Sequence, residues 1–358
     1  MVELYGEQKA LRYWRSAEDG IKIISGIVNK ISADASYFES NGYLYLATDD
    51  ESLETLKEES AASNAVGMNT SILTQEELVE KFNLHDFVGA LYSDNGFFVN
   101  GVELINNLQN FLLKNRVRIV ENAEVKKIDK DGNSITISDG TKIITDKVII
   151  ASNYESSKLG ILKGKIFAVE TYLALTEPVP LEFLKQHKML FYTLLWDTDE
   201  IYTYFRILKN GRILIGGSDV DFKAQEIKPH MEFMQHFYTY LVSHFPQLKG
   251  IRLQHQWSGV LAGTNDFFPF VGNIKNTNIY VTVSDGIQYC FLSGKIVADL
   301  IIKGSSEYAD LFDLYRKMPR KGIPIGQALR FGLFRRIAKP ALGLFKKFPS
   351  IKKRLSGK

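Results

Sequence analysis

The 358-residue chain has a single cysteine, Cys290. One thiol excludes an internal disulfide framework and any cysteine-based zinc site. The six histidines include no i, i+4 pair with a glutamate between them, so metal catalysis has little support. No apolar run approaches the roughly 18 to 20 residues that a membrane-spanning helix needs. Met1 opens on a charged, amphipathic segment rather than an apolar secretory region, and a cytoplasmic location is expected. There are no internal repeats and no low-complexity tracts. Acidic residues are absent from Arg316 to Lys358, which holds fourteen Lys and Arg; with a net charge of +3 for the whole, residues 1–315 carry 3 − 14 = −11.

What is there is an ordinary globular mixture, 45% hydrophobic and 24% charged. Leu4, Leu11, Trp14, Ile21, Ile24 and Val28 fall near helical spacing and predict an N-terminal amphipathic helix. Residues 42–47 read as a strand, Asp49 to Glu59 as a capped helix, and Thr74-Gln75-Glu76-Glu77 as a capping box opening another. Val102 to Lys114 is apolar enough to predict a buried helix, leading into a strand at Val117 to Val120. Residues 123–150 alternate, with turns at Asp131-Gly132 and Asp139-Gly140, as an antiparallel meander does. Lys147 to Asn153 reads as a buried parallel strand. More strand is expected in 165–218, a long helix from His230 to Phe245, strand from Leu253 to Trp257, and a final strand at Ile279–Val283 turning through Ser284-Asp285-Gly286 into helix 287–302. Two sheets are implied.

This order of segments resembles the D-amino-acid oxidase superfamily of flavoproteins, in the branch with sarcosine, glycine and gamma-glutamylputrescine oxidases. The resemblance is carried by Gly42-Tyr43-Leu44-Tyr45-Leu46-Ala47, by Gly89-Ala90-Leu91-Tyr92 and Gly96, and by the meander and strand ending in Ile150-Ala151-Ser152-Asn153. It continues through Trp257-Ser258-Gly259, Thr264-Asn265-Asp266, Pro269 and Gly272, and ends in the helix closing with Gly294 to Ile301, over residues 2–303 in all. It implies an α/β fold in which an FAD-binding (Rossmann-like) domain is interleaved with a mixed-sheet substrate domain, and an FAD-dependent oxidation of an amine or amino acid to an imine. Three departures accompany it. The family's Gly-x-Gly-x-x-Gly, which seats the FAD pyrophosphate on a helix N-terminus, has no counterpart, because no Gly-x-Gly occurs anywhere in the chain. The FAD-binding domain is therefore expected to be incomplete. The glycine-rich turn before the last helix is shortened to Ser284-Asp285-Gly286. Leu261 stands near the arginine that grips a substrate carboxylate in amino-acid-oxidising members, which favours an amine, or an amino acid held through a distal group.

The resemblance places the cofactor against Val125, Ala151, Ser152 and Asn153, and against Ser284, Asp285, Gly286, Ile287 and Gln288 at the start of the last helix. The amides of Gly286 and Ile287 are candidate donors to the flavin. Asp285 reads either as the helix cap or as a cofactor neighbour, and Gln288 as a donor or an exposed side chain. Tyr204 and Arg206 share one side of a strand expected to cover the flavin's substrate face, with Arg206 reading as a substrate anchor or as an arginine on a solvated face. Trp257 is a third candidate, and equally a core aromatic. Cys290 reads as a buried small hydrophobe.

The expected domains are 1–39, 97–162 and 259–310 for the FAD-binding part and 40–96 and 163–258 for the substrate part, followed by a basic amphipathic tail, 316–358. The tail's aromatic and cationic residues suit an anionic membrane surface, docking on the acidic body, or, less readily, nucleic acid. The competing reading of the whole is a non-catalytic binding protein that keeps the substrate domain without flavin.

Overall fold

The computed structural model describes residues 5–317 apart from 32–36, 40–41, 66, 95, 192, 200–201, 222–230, 265 and 267. The basic tail beyond Lys317, with its membrane and docking readings, lies outside the described residues.

An eight-stranded mixed sheet forms the substrate-domain layer. In space its order is β14 (Leu253–Thr264), β10 (Ile166–Pro178), β13 (Arg212–Asp221), β12 (Thr203–Ile207), β11 (Leu194–Asp197), β2 (Tyr43–Ala47), β4 (Gly89–Ser93) and β3 (Thr70–Thr74). The strand read at 42–47 is thus central, pairing antiparallel with β4 and parallel with β11. One face of the sheet is closed by α6 (Met231–His244) and α3 (Gln75–Phe82). There Phe205, Ile213, Ile215, Phe237, Leu241 and Phe245 form the main core. The capping box before α3 is present, with the Thr74 hydroxyl accepting from the Glu77 amide and the Glu77 carboxylate from the Thr74 amide. At α2 (Asp50–Ala65), Asp49 accepts the Ser52 amide at 2.8 Å, the cap the sequence implied.

The second layer is smaller. The parallel pair β9 (Val148–Ile150) and β16 (Ile279–Val283), with β15 (Phe270–Asn273) antiparallel to β16, makes a three-stranded sheet. The meander β6 (Val125–Ile128), β7 (Ser134–Ile137), β8 (Lys142–Ile144) covers one face, packing Ile128 and Ile135 on Val148 and Ile150. The final helix α7 (Ile287–Lys303) covers the other. A small pair, β1 (Tyr37–Glu39) with β5 (Phe97–Val99), completes the described sheets.

α1 (Glu7–Lys30) lies directly on α7: a Cβ at Gly20 would stand 2.3 Å from the Gln288 carbonyl oxygen, so only glycine permits this approach. Tyr5, Phe268, Tyr13 and Tyr289 stack in succession with ring centroids 4.6, 4.3 and 5.1 Å apart, holding α1 against α7 and the segment before β15. Arg316, the first residue of the expected tail, is buried in this body beside Asp266.

Two expectations fail, and both failures lie at one place. Residues 117–120 form no strand: no strand among the described residues pairs with them, the Val117 amide turns back to the Leu112 carbonyl, and Val120 is 70% exposed. The helix α4 (Gly101–Lys114) forms, but only Leu104 on it is buried, packed among Ile24, Val28 and the start of α7; Val102 is 72% exposed. Apolar periodicity reports which face of a helix is meant to be covered, not whether the covering element is there.

Candidate active site

The uncovered face of the large sheet looks toward the N-terminal end of α7. Along β12, Tyr204 and Arg206 point to this face while Thr203, Phe205 and Ile207 enter the core. Arg206 is no solvated surface arginine. Its guanidinium lies 4.4 Å from the centre of the Phe98 ring, its Nε is buried with no partner, and burial alone lowers its pKa. No carboxylate among the described residues pairs with it. A half-buried guanidinium with one N–H left without a partner is poised for an anion.

On the same face, beyond the other end of β12, stands a carboxyl without a cation. Tyr202 donates a hydrogen bond to Asp219, whose Oδ1 is buried and unpartnered. Burial raises the Asp219 carboxyl above its ordinary range, with the Thr171 and Tyr202 hydroxyls opposing the shift. The Tyr204 hydroxyl in turn lies 3.4 Å from that of Thr171. Simple alternation hides Asp219, because strict period-2 pairing would send Leu214, Gly216 and Ser218 to the site face. The register with β10 slips between Glu170 and Tyr172, Gly217 takes φ 129° and Ser218 φ 56°; Ser218 goes under the sheet and Asp219 emerges on top. Gly216 is itself required, since a Cβ there would come within 2.6 Å of the Tyr204 ring.

Across the gap is the turn from β16 into α7. Gly286 is the cap residue, at φ 82°, and no side chain caps the helix. Asp285 is therefore not the cap; it accepts the Gly286 amide at 2.8 Å. That amide is spent locally, which leaves the next N–H groups, on Ile287 and Gln288, pointing out of the helix. The Gln288 side chain folds back over Gly286. Asp285 reaches solvent at the mouth of the site, yet the protein around it raises its pKa, with the Asp219 charge adding to the effect. The two carboxyls face each other across the site. Ser284 is committed elsewhere, 2.6 Å from the Ser293 hydroxyl in the core.

The remaining sequence candidates are scattered. Trp257 is on the same sheet, but β10 and β13 lie between β14 and β12, roughly 14 Å at strand spacing. It is 44% exposed and so is not core. Leu261, opposite Val169, shares its strand face with Trp257. Val125 sits half-buried on the meander. Ala151 and Ser152 are exposed beyond β9, the Ser152 hydroxyl 3.2 Å from that of Ser156; Asn153 has φ 48° and a buried Oδ1 without a partner. Cys290 is exposed rather than a buried hydrophobe. Among the described residues no group of His, Cys, Asp and Glu could hold a metal, and no helix is long and apolar enough to cross a membrane.

The chain is 24% identical over 338 residues to the gamma-glutamylputrescine oxidoreductase of Escherichia coli, covering 91% of this chain and 75% of that protein. Its fold is similar to the glycine oxidase of Geobacillus kaustophilus (TM-score 0.73, 20% identity, 85% of this chain and 82% of that one). It is also similar to the L-proline dehydrogenase of P. horikoshii (TM-score 0.72, 22% identity, 84% and 82%).

The residues present suit one end of FAD only. The free amides at the start of α7, facing a strand surface with Tyr204 and Arg206, fit a flavin ring carrying partial negative charge. Among the described residues the dinucleotide end finds no cradle: the turn from β16 into α7 presents Asp285, whose charge opposes phosphate, and Ala151 and Ser152 are open to solvent. The sequence as a whole has no Gly-x-Gly. Yet the match to the FAD dependent oxidoreductase (DAO) model runs over residues 2–300, and the chain belongs to that family.

Proposed function

We propose that this protein takes part in the FAD-dependent oxidation of an amine, or of an amino acid held through a distal acid group, to the corresponding imine. The observation that carries the reading is that one sheet face holds, at opposite ends of β12, a half-buried guanidinium with an unpartnered Nε (Arg206) and a half-buried carboxyl with an unpartnered Oδ1 (Asp219). A substrate with an ammonium at one end and a carboxylate at the other would satisfy both. Each orphaned group costs about 1–3 kcal/mol of desolvation until a partner arrives.

FAD, when bound, supplies the acceptor for the two electrons and the hydrogen that leave the amine carbon. This chain's own residues bind and orient. Arg206, stacked on Phe98, anchors the distal carboxylate. Asp219, held by Tyr202 and facing Asp285, receives the ammonium end; its raised pKa suits it to hold the proton that the amine must lose before oxidation. Leu261, where an arginine would grip an α-carboxylate, leaves that end of the sheet apolar.

The test is flavin reduction in FAD-loaded protein under anaerobic conditions. Amines bearing a carboxylate several bonds away are expected to reduce it fastest, and glycine, sarcosine and D-alanine slowly. A preference for those three small amino acids would overturn the substrate reading. If excess FAD plus every amine tried leaves no reduced flavin in protein shown to hold FAD, the non-catalytic binding protein becomes the better account.

A further inference from the structure

Beneath the site face, the start of β12 is gripped from the core side. Thr203 is buried there, between Tyr202, which bonds Asp219, and Tyr204, which points to the site. Its amide donates to Asp197 Oδ1 at 3.1 Å, and the same oxygen accepts the Asp199 amide at 3.2 Å. The Thr203 hydroxyl lies 3.2 Å from His236 Nε2 of α6. Asp197 closes β11 one residue after Trp196, the partner of Tyr204 across the ladder. Opposite Thr203 stands Gly217, in the bulge that turns Asp219 onto the site face. A Cβ at Gly217 would come 2.3 Å from the Tyr202 carbonyl oxygen, so the two backbones touch at this point. Asp197 is held there at a cost. It is 1% exposed, burial raises its pKa to about 6, and no cation among the described residues offsets its charge. Its Oδ2 is unpartnered, with the buried Tyr240 hydroxyl of α6 acting on it. An apolar side chain would occupy such a place more cheaply, but could not accept the two amides.

We infer that Asp197 is a positioning residue of the site: by holding the Thr203 amide from below, it fixes Tyr202 against Asp219 and sets Tyr204 on the open face, without itself reaching that face. Its kinetic consequence rests on the role proposed for Asp219; the anchoring of the backbone does not. Burial raises the Asp219 carboxyl, the Thr171 and Tyr202 hydroxyls oppose that rise, and the Asp285 carboxyl faces it across the gap. When the first residues of β12 loosen, the Tyr202 bond to the ionised carboxyl is lost. Asp219 then keeps its proton to a higher pH.

Two variants separate the grip from the charge. Asp197→Ala removes the acceptor, whereas Asp197→Asn keeps an oxygen for both amides and loses only the negative charge. Amide exchange is followed first, in the full chain without flavin. In the Ala variant, peptides covering 202–204 and 217–219 are expected to exchange about tenfold faster or more, with the Asn variant at wild-type rates. In FAD-loaded protein the Ala variant should lose about tenfold or more in kcat for a carboxylate-bearing amine, with KM little changed. The acid limb of its kcat profile should move up by about one pH unit, and the Asn variant should restore both. Should the Ala variant not fold, Asp197→Ser, whose hydroxyl is too short to reach both amides, carries the same test. Unchanged exchange in the Ala variant overturns the inference. So does equal damage in the Ala and Asn variants, or a fall in kcat with the acid limb unmoved, which would leave Asp197 a general support of the fold. Flavin that no amine reduces in the wild-type protein would sink the proposed function, and the exchange rates would still decide the anchoring.

Discussion

Arg316 offers the sharpest test of where the folded body ends. Its guanidinium makes a bidentate pair with Asp266, both bonds 2.8 Å, and donates to the carbonyls of Pro269 at 2.7 Å and Phe268 at 2.9 Å. It also lies 3.8 Å from the centre of the Phe270 ring. The two side chains are 4% and 0% exposed, so water can replace none of this. Arg316→Met keeps a long apolar stem over Phe270 but leaves the buried Asp266 carboxylate without its cation, with the Phe268 amide 3.1 Å away. Removing one partner of a buried, hydrogen-bonded pair costs about 3–5 kcal/mol. That is a large part of the roughly 5–15 kcal/mol that holds a domain together. Urea unfolding of wild type and variant should show the unfolding free energy falling by that amount, through a lower midpoint with little change in slope. Replacing both residues, Asp266→Leu with Arg316→Met, should recover at least half the loss, because no charge is then buried alone. A loss below about 1 kcal/mol in the single variant would refute the reasoning and return Arg316 to a solvated tail.

Other expectations follow from the same structure. In FAD-loaded protein, Arg206→Met should raise KM for carboxylate-bearing amines by about 10- to 100-fold, the worth of a charged hydrogen bond, and leave plain amines unaffected; equal losses for both would make Arg206 structural. Asp197 is 1% exposed, and burial raises its carboxyl to about 6 from 3.8. The folded state then binds more protons than the unfolded state between those values. Its penalty is absent below about pH 4, grows as pH rises and is fully present above about pH 6. Asp197→Asn should therefore stabilise the protein by about 1–3 kcal/mol at pH 7.5 and very little at pH 4, as compared by denaturant titration; equal effects at both pH values would contradict this. Gly20→Ala must push α1 away from a backbone carbonyl, and a loss of about 1–3 kcal/mol in thermal or urea unfolding is expected; a neutral result would mean that α1 does not lie on α7 as described.

Much of this fold was legible in the sequence for physical reasons. The capping box at Thr74, the turns at Gly132 and Gly140, and the strand 43–47 are set by local chemistry, and each forms as its residues dictate. Residues 117–120 and α4 were misread because periodicity records an intended burial whose covering element is not among the described residues. At the site, alternation along β12 correctly sent Tyr204 and Arg206 to one face, and the resemblance located the start of α7. Asp219 and Tyr202 were missed because a bulge at Gly217 reverses the parity of β13, which no period-2 count can see. Phe98 was missed because its contact with Arg206 joins residues more than a hundred positions apart. Trp257 attracted notice as a motif residue, yet two strands stand between it and the group it was meant to join.

The most direct test of the central claim is the visible spectrum of the purified protein, mixed with FAD and then given a carboxylate-bearing amine without oxygen. The account predicts a yellow complex that survives gel filtration and bleaches on adding the amine, with one imine formed per flavin reduced. A complex that stays yellow with every amine, while dithionite still bleaches it, would contradict the claim that this protein oxidises amines.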